Sequence, residues 1–312
     1  MIMSNNNENH AHTTLPSVAR FVWMDRAYMP LSSATVPITA HSLHYGTAVF
    51  EGIRFYETDK GPAVFRLQDH IYRLFASANA MSMRLEHDED ELTRVVCELI
   101  RRNNLADGYV RMIAYYGDGI SLTRDDLQTH IAIFLLPWPS KKMKPIRLQI
   151  SKFRKSDPRT IIHRAKVAGH YVNSYLAASS FDQSRYDGAL MLDCDGWVAE
   201  TTVANIFSVK DSILFTPKPG SILPGITRDT VLKLAQSMSI QCIESNVSMD
   251  HLKHSDEVFI TGTASEVIPV KGIDEADIGE GAVGHITSQL SNAFNESVRG
   301  RNSEFLSWLT RA

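Results

Sequence analysis

His41-Ser42-Leu43-His44-Tyr45-Gly46-Thr47-Ala48-Val49-Phe50-Glu51-Gly52-Ile53-Arg54 is the most informative stretch of the chain. A segment ending at Tyr45-Gly46 leads into aromatic and β-branched residues, which predicts a strand over Val49–Tyr56. Upstream, Phe21–Met24 and Ala27–Met29 flank Asp25-Arg26, the pattern of a hairpin. Downstream, Ile71, Leu74, Phe75 and Ala78 share one face of a helix predicted over Leu67–Met81. Leu92, Val95, Val96, Leu99 and Ile100 form the i, i+3, i+4, i+7, i+8 stripe of a second helix, Glu89–Arg102. Strands follow at Tyr109–Tyr116 and His130–Leu136.

The run from Pro137 to Pro145 holds three prolines and three lysines and has no apolar period. It reads as a linker. Beyond it the sequence predicts a strand at Ile146–Phe153 and a helix at Tyr171–Asp182. A hairpin follows, Ala189–Leu192 and Trp197–Glu200, turning on Asp195-Gly196. Then come strands Ala204–Lys210 and Ile213–Thr216, a helix Thr227–Met238 and a strand Glu257–Thr261. The expected division is a disordered tail (1–16), a small N-terminal α/β domain (17–138), a linker (139–145) and a larger C-terminal pseudo-barrel domain (146–312).

The bulk numbers agree with two domains. At 312 residues the chain is too long for one simple core. An apolar fraction of 44% and a charged fraction of 21% are those of a soluble globular protein. A net charge of -3 gives no footprint for nucleic acid or an anionic membrane. The three cysteines, Cys97, Cys194 and Cys242, form no C-x-x-C pair, so neither a disulfide framework nor a zinc site is expected, and a reducing cytoplasm is. Met1 to Thr14 is polar and lacks the apolar core of a signal peptide. Its His10 and His12 read as solvated tail residues rather than metal ligands. No stretch approaches a membrane span.

Four features could carry chemistry. Lys166 lies between a loop and a helix start, beside His163 and Arg164, two cations that would lower its pKa. Such a lysine can form a Schiff base with an aldehyde; the segment alone reads more readily as a solvated loop. Leu223-Pro224-Gly225-Ile226-Thr227 opens a helix whose free amides attract phosphate, or is a Pro-Gly turn with a threonine cap. Thr261-Gly262-Thr263-Ala264 follows a strand and offers a small-residue anion nest. Glu200 ends a strand and is either a surface carboxylate or a partner for a pyridine nitrogen. A dinucleotide fingerprint, a Walker sequence, G-x-S-x-G and H-E-x-x-H are all missing.

Taken together, these features resemble the branched-chain aminotransferases, class IV pyridoxal-phosphate enzymes of fold type IV. The resemblance spans about Phe21 to Arg299. Its most specific part is the Tyr-x-Gly-x-x-x-Phe-Glu-Gly-x-Arg pattern of the opening stretch, which D-amino-acid and lyase relatives do not normally show. It implies an α+β or α/β two-domain fold with pyridoxal 5'-phosphate between the domains. Lys166 would be the catalytic residue and carry the cofactor. Tyr171 would partner the phenolic oxygen and Glu200 the ring nitrogen. Arg73, the Ile226 and Thr227 amides and Thr263 would hold the phosphate, with Leu223 on a ring face. Tyr45, Phe50 and Trp138 would wall an apolar substrate pocket. Tyr109 and Arg111 would stand near the substrate carboxylates, with Arg54 and then Lys141 as further cations, and the Thr263-Ala264 amides would take the α-carboxylate. No metal is implied. The implied activity is transamination of leucine, isoleucine and valine with 2-oxoglutarate by a homodimer or dimer-based oligomer, acting on small molecules and not on nucleic acid or membranes. The chain departs from the family at Thr201-Thr202-Val203, bulkier than the usual Gly-Ala-Gly, and at Asp118–Leu122, which lacks a Gly-Met element. Both departures bear on side-chain preference and keep open an aminotransferase of a specialised pathway. Rivals on the same fold are D-amino-acid and R-amine aminotransferases and aminodeoxychorismate lyase; outside catalysis, a binding protein that kept the fold.

Overall fold

The computed structural model describes residues 19–123, 126–138 and 144–312. The expected tail, most of the linker and Lys141 lie outside them. The opening stretch forms a short helix, α1 (His41–Tyr45), and then a strand. In chain order the first half gives β1 (Phe21–Met24), β2 (Ala27–Pro30), β3 (Val49–Thr58), β4 (Gly61–Phe65), α2 (Leu67–Ala80), α3 (Glu89–Asn103), β5 (Gly108–Tyr116) and β6 (Thr129–Pro137). Asp25 and Arg26 take the positive φ values a tight hairpin needs. Strands β3, β5 and β6 lie side by side, antiparallel, and their period of two divides the residues between two faces. Val49, Ile53, Phe55, Val110, Met112, Ile131 and Ile133 face α2 and α3, with Leu74, Leu92 and Val96, in a closed apolar core. The other face carries Phe50, Gly52, Tyr109, Arg111, Phe134 and Leu136.

The second half gives β7 (Ile146–Ile150), α4 (Tyr171–Ala178), β8 (Gly188–Leu192), β9 (Val198–Thr201), β10 (Asn205–Lys210), β11 (Ile213–Pro217), α5 (Ile226–Ser237), β12 (Cys242–Ser245), α6 (Met249–Lys253), β13 (Glu257–Gly262), β14 (Glu266–Ile273), β15 (Ala276–Asp277) and α7 (His285–Val298). The strand order β12-β11-β10-β13-β14-β7-β8-β9 closes on itself because β9 also pairs with β10, at Glu200 and Asn205. Inside this barrel pack Leu148, Leu190, Ile206, Val258, Ile260 and Val270. Outside it Phe207 and Phe259 stack beneath α5 and α7, on Val231, Leu234, Leu290 and Phe294. Strands buried on both faces read as continuous apolar runs.

A last strand, β16 (Leu309–Arg311), leaves the barrel side and pairs with β4 at the edge of the first sheet. The sequence reading assigns everything after residue 145 to the C-terminal domain; these residues return to the other sheet. Helix α4 stops at Ala178, short of the expected Asp182, and the Ser180 hydroxyl turns back to the Ala177 carbonyl at 2.9 Å. Strand β7 stops at Ile150, not Phe153. Among the described residues no helix is long and apolar enough to cross a membrane.

Candidate active site

A cavity of about 540 Å³ opens between the free face of the first sheet and the barrel. The opening stretch builds its floor. Gly46 ends α1 with φ 65°, and a Cβ there would lie 2.9 Å from the Gly169 Cα, so the chain can pass this close only with glycine. Through this contact the segment at 46–50 pairs with the segment at 166–169. Gly169 N–H donates to the Gly46 carbonyl at 2.8 Å, Ala168 N–H to Ala48 at 2.7 Å, and Phe50 N–H to Lys166 at 3.1 Å. The Lys166 amide in turn donates to the Ser77 hydroxyl on α2 at 3.0 Å. The backbone of Lys166 is therefore fixed on both sides, next to Phe50.

The Lys166 ammonium donates to the Tyr171 hydroxyl and lies 4.8 Å from the Phe50 ring centroid. Burial pushes its pKa down to about 7, helped by Arg73 and Arg111 and opposed by Glu51 and Glu200. The lowering agrees with the sequence reading, but its cause does not. Arg164 is exposed, and the His163 ring is turned to the Ser156 carbonyl at 2.7 Å with its own pKa lowered by burial. Tyr171 is held in the neutral phenol form by burial and by the Glu200 charge, which push its pKa up.

Glu200 lies on β9 where the barrel closes, 7% exposed. It accepts from Asn205 Nδ2 at 3.0 Å and from the Leu223 amide at 3.3 Å, and pairs with Lys155 Nζ at 2.8 Å. Helix α5 starts after Gly225 with no side chain capping it, leaving the first-turn amides of Ile226 and Thr227 for an anion in the cavity. Arg73 reaches the same cavity from α2. Its Nε and Nη2 bind the two Glu51 oxygens at 2.6 and 2.9 Å, and its Nη1 donates to the Pro224 carbonyl at 3.1 Å. Glu51 is fully buried and also accepts from His70 Nδ1 at 2.8 Å. Burial alone would raise its pKa, but Arg73 and His70 hold it well below the usual carboxylate range.

On the sheet side, Gly52 is needed because a Cβ would fall 1.6 Å from the Tyr109 hydroxyl. Arg111 lies across from Gly52, its guanidinium 4.6 Å over the Phe50 ring and 5.6 Å from that of Tyr109. Among the described residues no carboxylate stands within ion-pair distance of it. Trp138, Leu223, Thr263 and Ala264 complete the expected lining.

Two expected residues are not brought to the cavity. Arg54 is 3% exposed and spent elsewhere, at 3.3 Å from Glu266 and 3.1 Å from the Trp138 carbonyl. Arg54 does not line the cavity, and its bond to the Trp138 carbonyl makes it a brace behind that residue. Tyr45 is 41% exposed on α1 and donates to the Ile120 carbonyl, away from the cavity of its own chain. Sequence reasoning misses three residues. Glu51 stands in it only as part of a pattern, although an acid inside an apolar strand is itself a signal that a cation faces it. Lys155 and Asn205 have no such local signal.

The family model for class IV amino-transferases matches residues 48–273. The branched-chain-amino-acid aminotransferase of Pseudomonas aeruginosa is 36% identical over 295 residues, 93% of this chain and 96% of that one. The solved branched-chain amino acid aminotransferase of Thermobaculum terrenum, in its PLP-form, matches with a TM-score of 0.89 at 33% identity, over 94% of this chain and 98% of its own. That of Thermoproteus uzoniensis with norvaline matches with a TM-score of 0.90 at 34% identity, over 94% of this chain and 99% of its own.

Proposed function

The chain belongs to the class IV amino-transferase family, and we propose that it uses pyridoxal 5'-phosphate to pass the amino group of leucine, isoleucine and valine to 2-oxoglutarate, giving branched-chain 2-oxo acids and L-glutamate. One observation carries the reading: the Lys166 ammonium donates to Tyr171 in a cavity that also holds Glu200 and the open amino end of α5. These residues fit the cofactor, since an amine of lowered pKa, a buried carboxylate and an uncapped helix start suit its aldehyde, its ring nitrogen and its phosphate. When bound, it supplies that aldehyde and a ring able to take up electron density from a substrate Cα.

The chain's own residues do the rest. Lys166 carries the cofactor and, once its amine is free, moves the proton at the substrate Cα; an amine near 7 can both take and return a proton at neutral pH. Tyr171 holds that amine in place. Glu200 favours a proton on the ring nitrogen. Ile226, Thr227, Thr263 and Arg73 bind phosphate, and Leu223 packs on the ring. Phe50, Tyr109 and Trp138 wall the side-chain space, and Arg111, stacked on two of these rings, takes the distal carboxylate of glutamate. The Thr263-Ala264 turn takes the α-carboxylate.

We further propose a homodimer. Val36, Ile38, Leu43, Ile120 and Leu122 are 49–77% exposed, on two segments tied by the Thr39–Asp118 and Tyr45–Ile120 hydrogen bonds. A second copy covering this face would also bury Tyr45. The deciding assay is a panel of L-amino acids, D-amino acids and amines against 2-oxoglutarate and then pyruvate. Turnover of leucine, isoleucine and valine with 2-oxoglutarate is expected. Preference for a D-amino acid or an amine, or pyruvate release without an acceptor, would overturn the assignment.

A further inference from the structure

Lys155 follows β7 and stands far before Glu200 in the chain, yet their side chains meet in the cavity wall. The Lys155 amide donates to the Leu192 carbonyl at 2.8 Å, its carbonyl accepts from Cys194 Sγ at 3.4 Å, and its Nζ lies 2.8 Å from Glu200 Oε1. The two side chains are only 12% and 9% exposed. A buried ion pair is a poor device for stability, because desolvation offsets the attraction. Neutral donors, Asn205 and the Leu223 amide, already serve the other Glu200 oxygen, Oε2, at 3.0 and 3.3 Å. What Lys155 adds is a full positive charge. Among the described residues it is the one cation within ion-pair distance of Glu200.

We propose that Lys155 is a positioning residue for Glu200, holding the carboxylate charged so that a proton shared with the cofactor's ring nitrogen lies on the ring. The inference rests on the pyridoxal-phosphate reading above. In a dry site, a carboxylate and a pyridine nitrogen left to themselves favour the neutral pair, with the proton on oxygen. A third charge beside the carboxylate changes the balance. Coulomb energy falls with distance, so Lys155 repels a proton on the adjacent oxygen more strongly than one transferred away to the ring. Neutral donors such as Asn205 cannot exert this effect at the same strength.

The test uses holoenzyme reconstituted with cofactor carrying 15N in the ring, read by the 15N chemical shift, beside half-reaction rates and melting curves. The parent should show a protonated ring nitrogen. Lys155→Gln keeps a hydrogen-bond donor but removes the charge; its 15N signal should move toward the unprotonated position and its half-reaction slow by about tenfold or more. Lys155→Arg should restore both. A Lys155→Gln holoenzyme with the parent's 15N shift would overturn the proposal, whatever its rate. Should that variant fail to fold, Lys155→Met is read in the same way, and failure of both would make the pair structural and the proposal wrong. A parent that binds no cofactor would instead refute the underlying cofactor reading.

Discussion

At Lys166 the cost of burial and the push of Arg73 and Arg111 outweigh the pull of Glu51 and Glu200, and the amine falls from 10.5 to about 7. Without cofactor, the folded protein therefore binds this proton less tightly than the unfolded chain does. The resulting loss of stability is complete below about pH 7 and disappears as pH rises toward the unfolded value of 10.5. Cofactor-free Lys166→Met should accordingly melt above the cofactor-free parent at pH 6, with the gap closing toward pH 10. It should also trap no cofactor under borohydride. Coincident melting curves at pH 6 would contradict the lowered value. Arg111 invites a second test. Truncating one partner of a buried charge pair typically costs about 2–5 kcal/mol. Arg111→Ala should thus lower kcat/KM for glutamate by roughly two orders of magnitude, while leucine, with no distal carboxylate, changes only a few-fold. Half-reaction kinetics with each donor decide this, and equal losses would assign Arg111 a structural role.

Among the elements, β3 does the most for the site. Its odd residues enter the core under α2, Phe50 and Gly52 face the cavity, and Glu51 reaches α2 to grip Arg73. A methyl group on Gly52 would collide with the Tyr109 ring. Overpacking of this kind costs about 1–3 kcal/mol, so Gly52→Ala should melt lower than the parent but cost little in a Tyr109→Ala background; an equal loss in both backgrounds would show that the ring is not the obstacle. Long elements with strong periods, such as α2, α3, β5 and α5, are legible in the sequence. Helix α1 is not, because five residues complete barely more than one turn. Strand β14 contains Pro269, which argues against a central strand until its bulge beside β7 is seen. Helix α7 buries Leu290, Phe294 and Val298 alongside Thr287 and Ser297, a stripe too mixed to stand out. In the site, Lys166, Glu200 and the α5 start are legible as types of residue in telling places. The Lys155–Glu200 pair is not, since only the pairing of β8 with the chain after β7 on one side and with β9 on the other brings these side chains together.

Over the whole molecule, the return of β16 matters as much as any cavity residue. The Trp308 carbonyl accepts from the Arg66 amide at 2.6 Å, and Arg66 in turn binds the Ile226 carbonyl at 3.2 Å and Asp229 on α5. The chain's last residues thus support the amino end of α5, the proposed phosphate site, without lining the cavity. Deleting residues 303–312 should lower the melting temperature and weaken cofactor retention on gel filtration, with cofactor lost before the fold is. Parent-like retention in the shortened chain would disprove the coupling. The same return has a mechanical side. The chain crosses from one sheet to the other between Pro137 and Ile146 and again between Val298 and Leu309, and Tyr56 and Arg54 both reach across to Glu266. A single crossing would act as a hinge. Two crossings, far apart in the sequence and flanked by buried bonds to Glu266, oppose a swing of one sheet away from the other. A substrate that needs no such swing would enter past the rim, where Val203 both lines the cavity and is exposed.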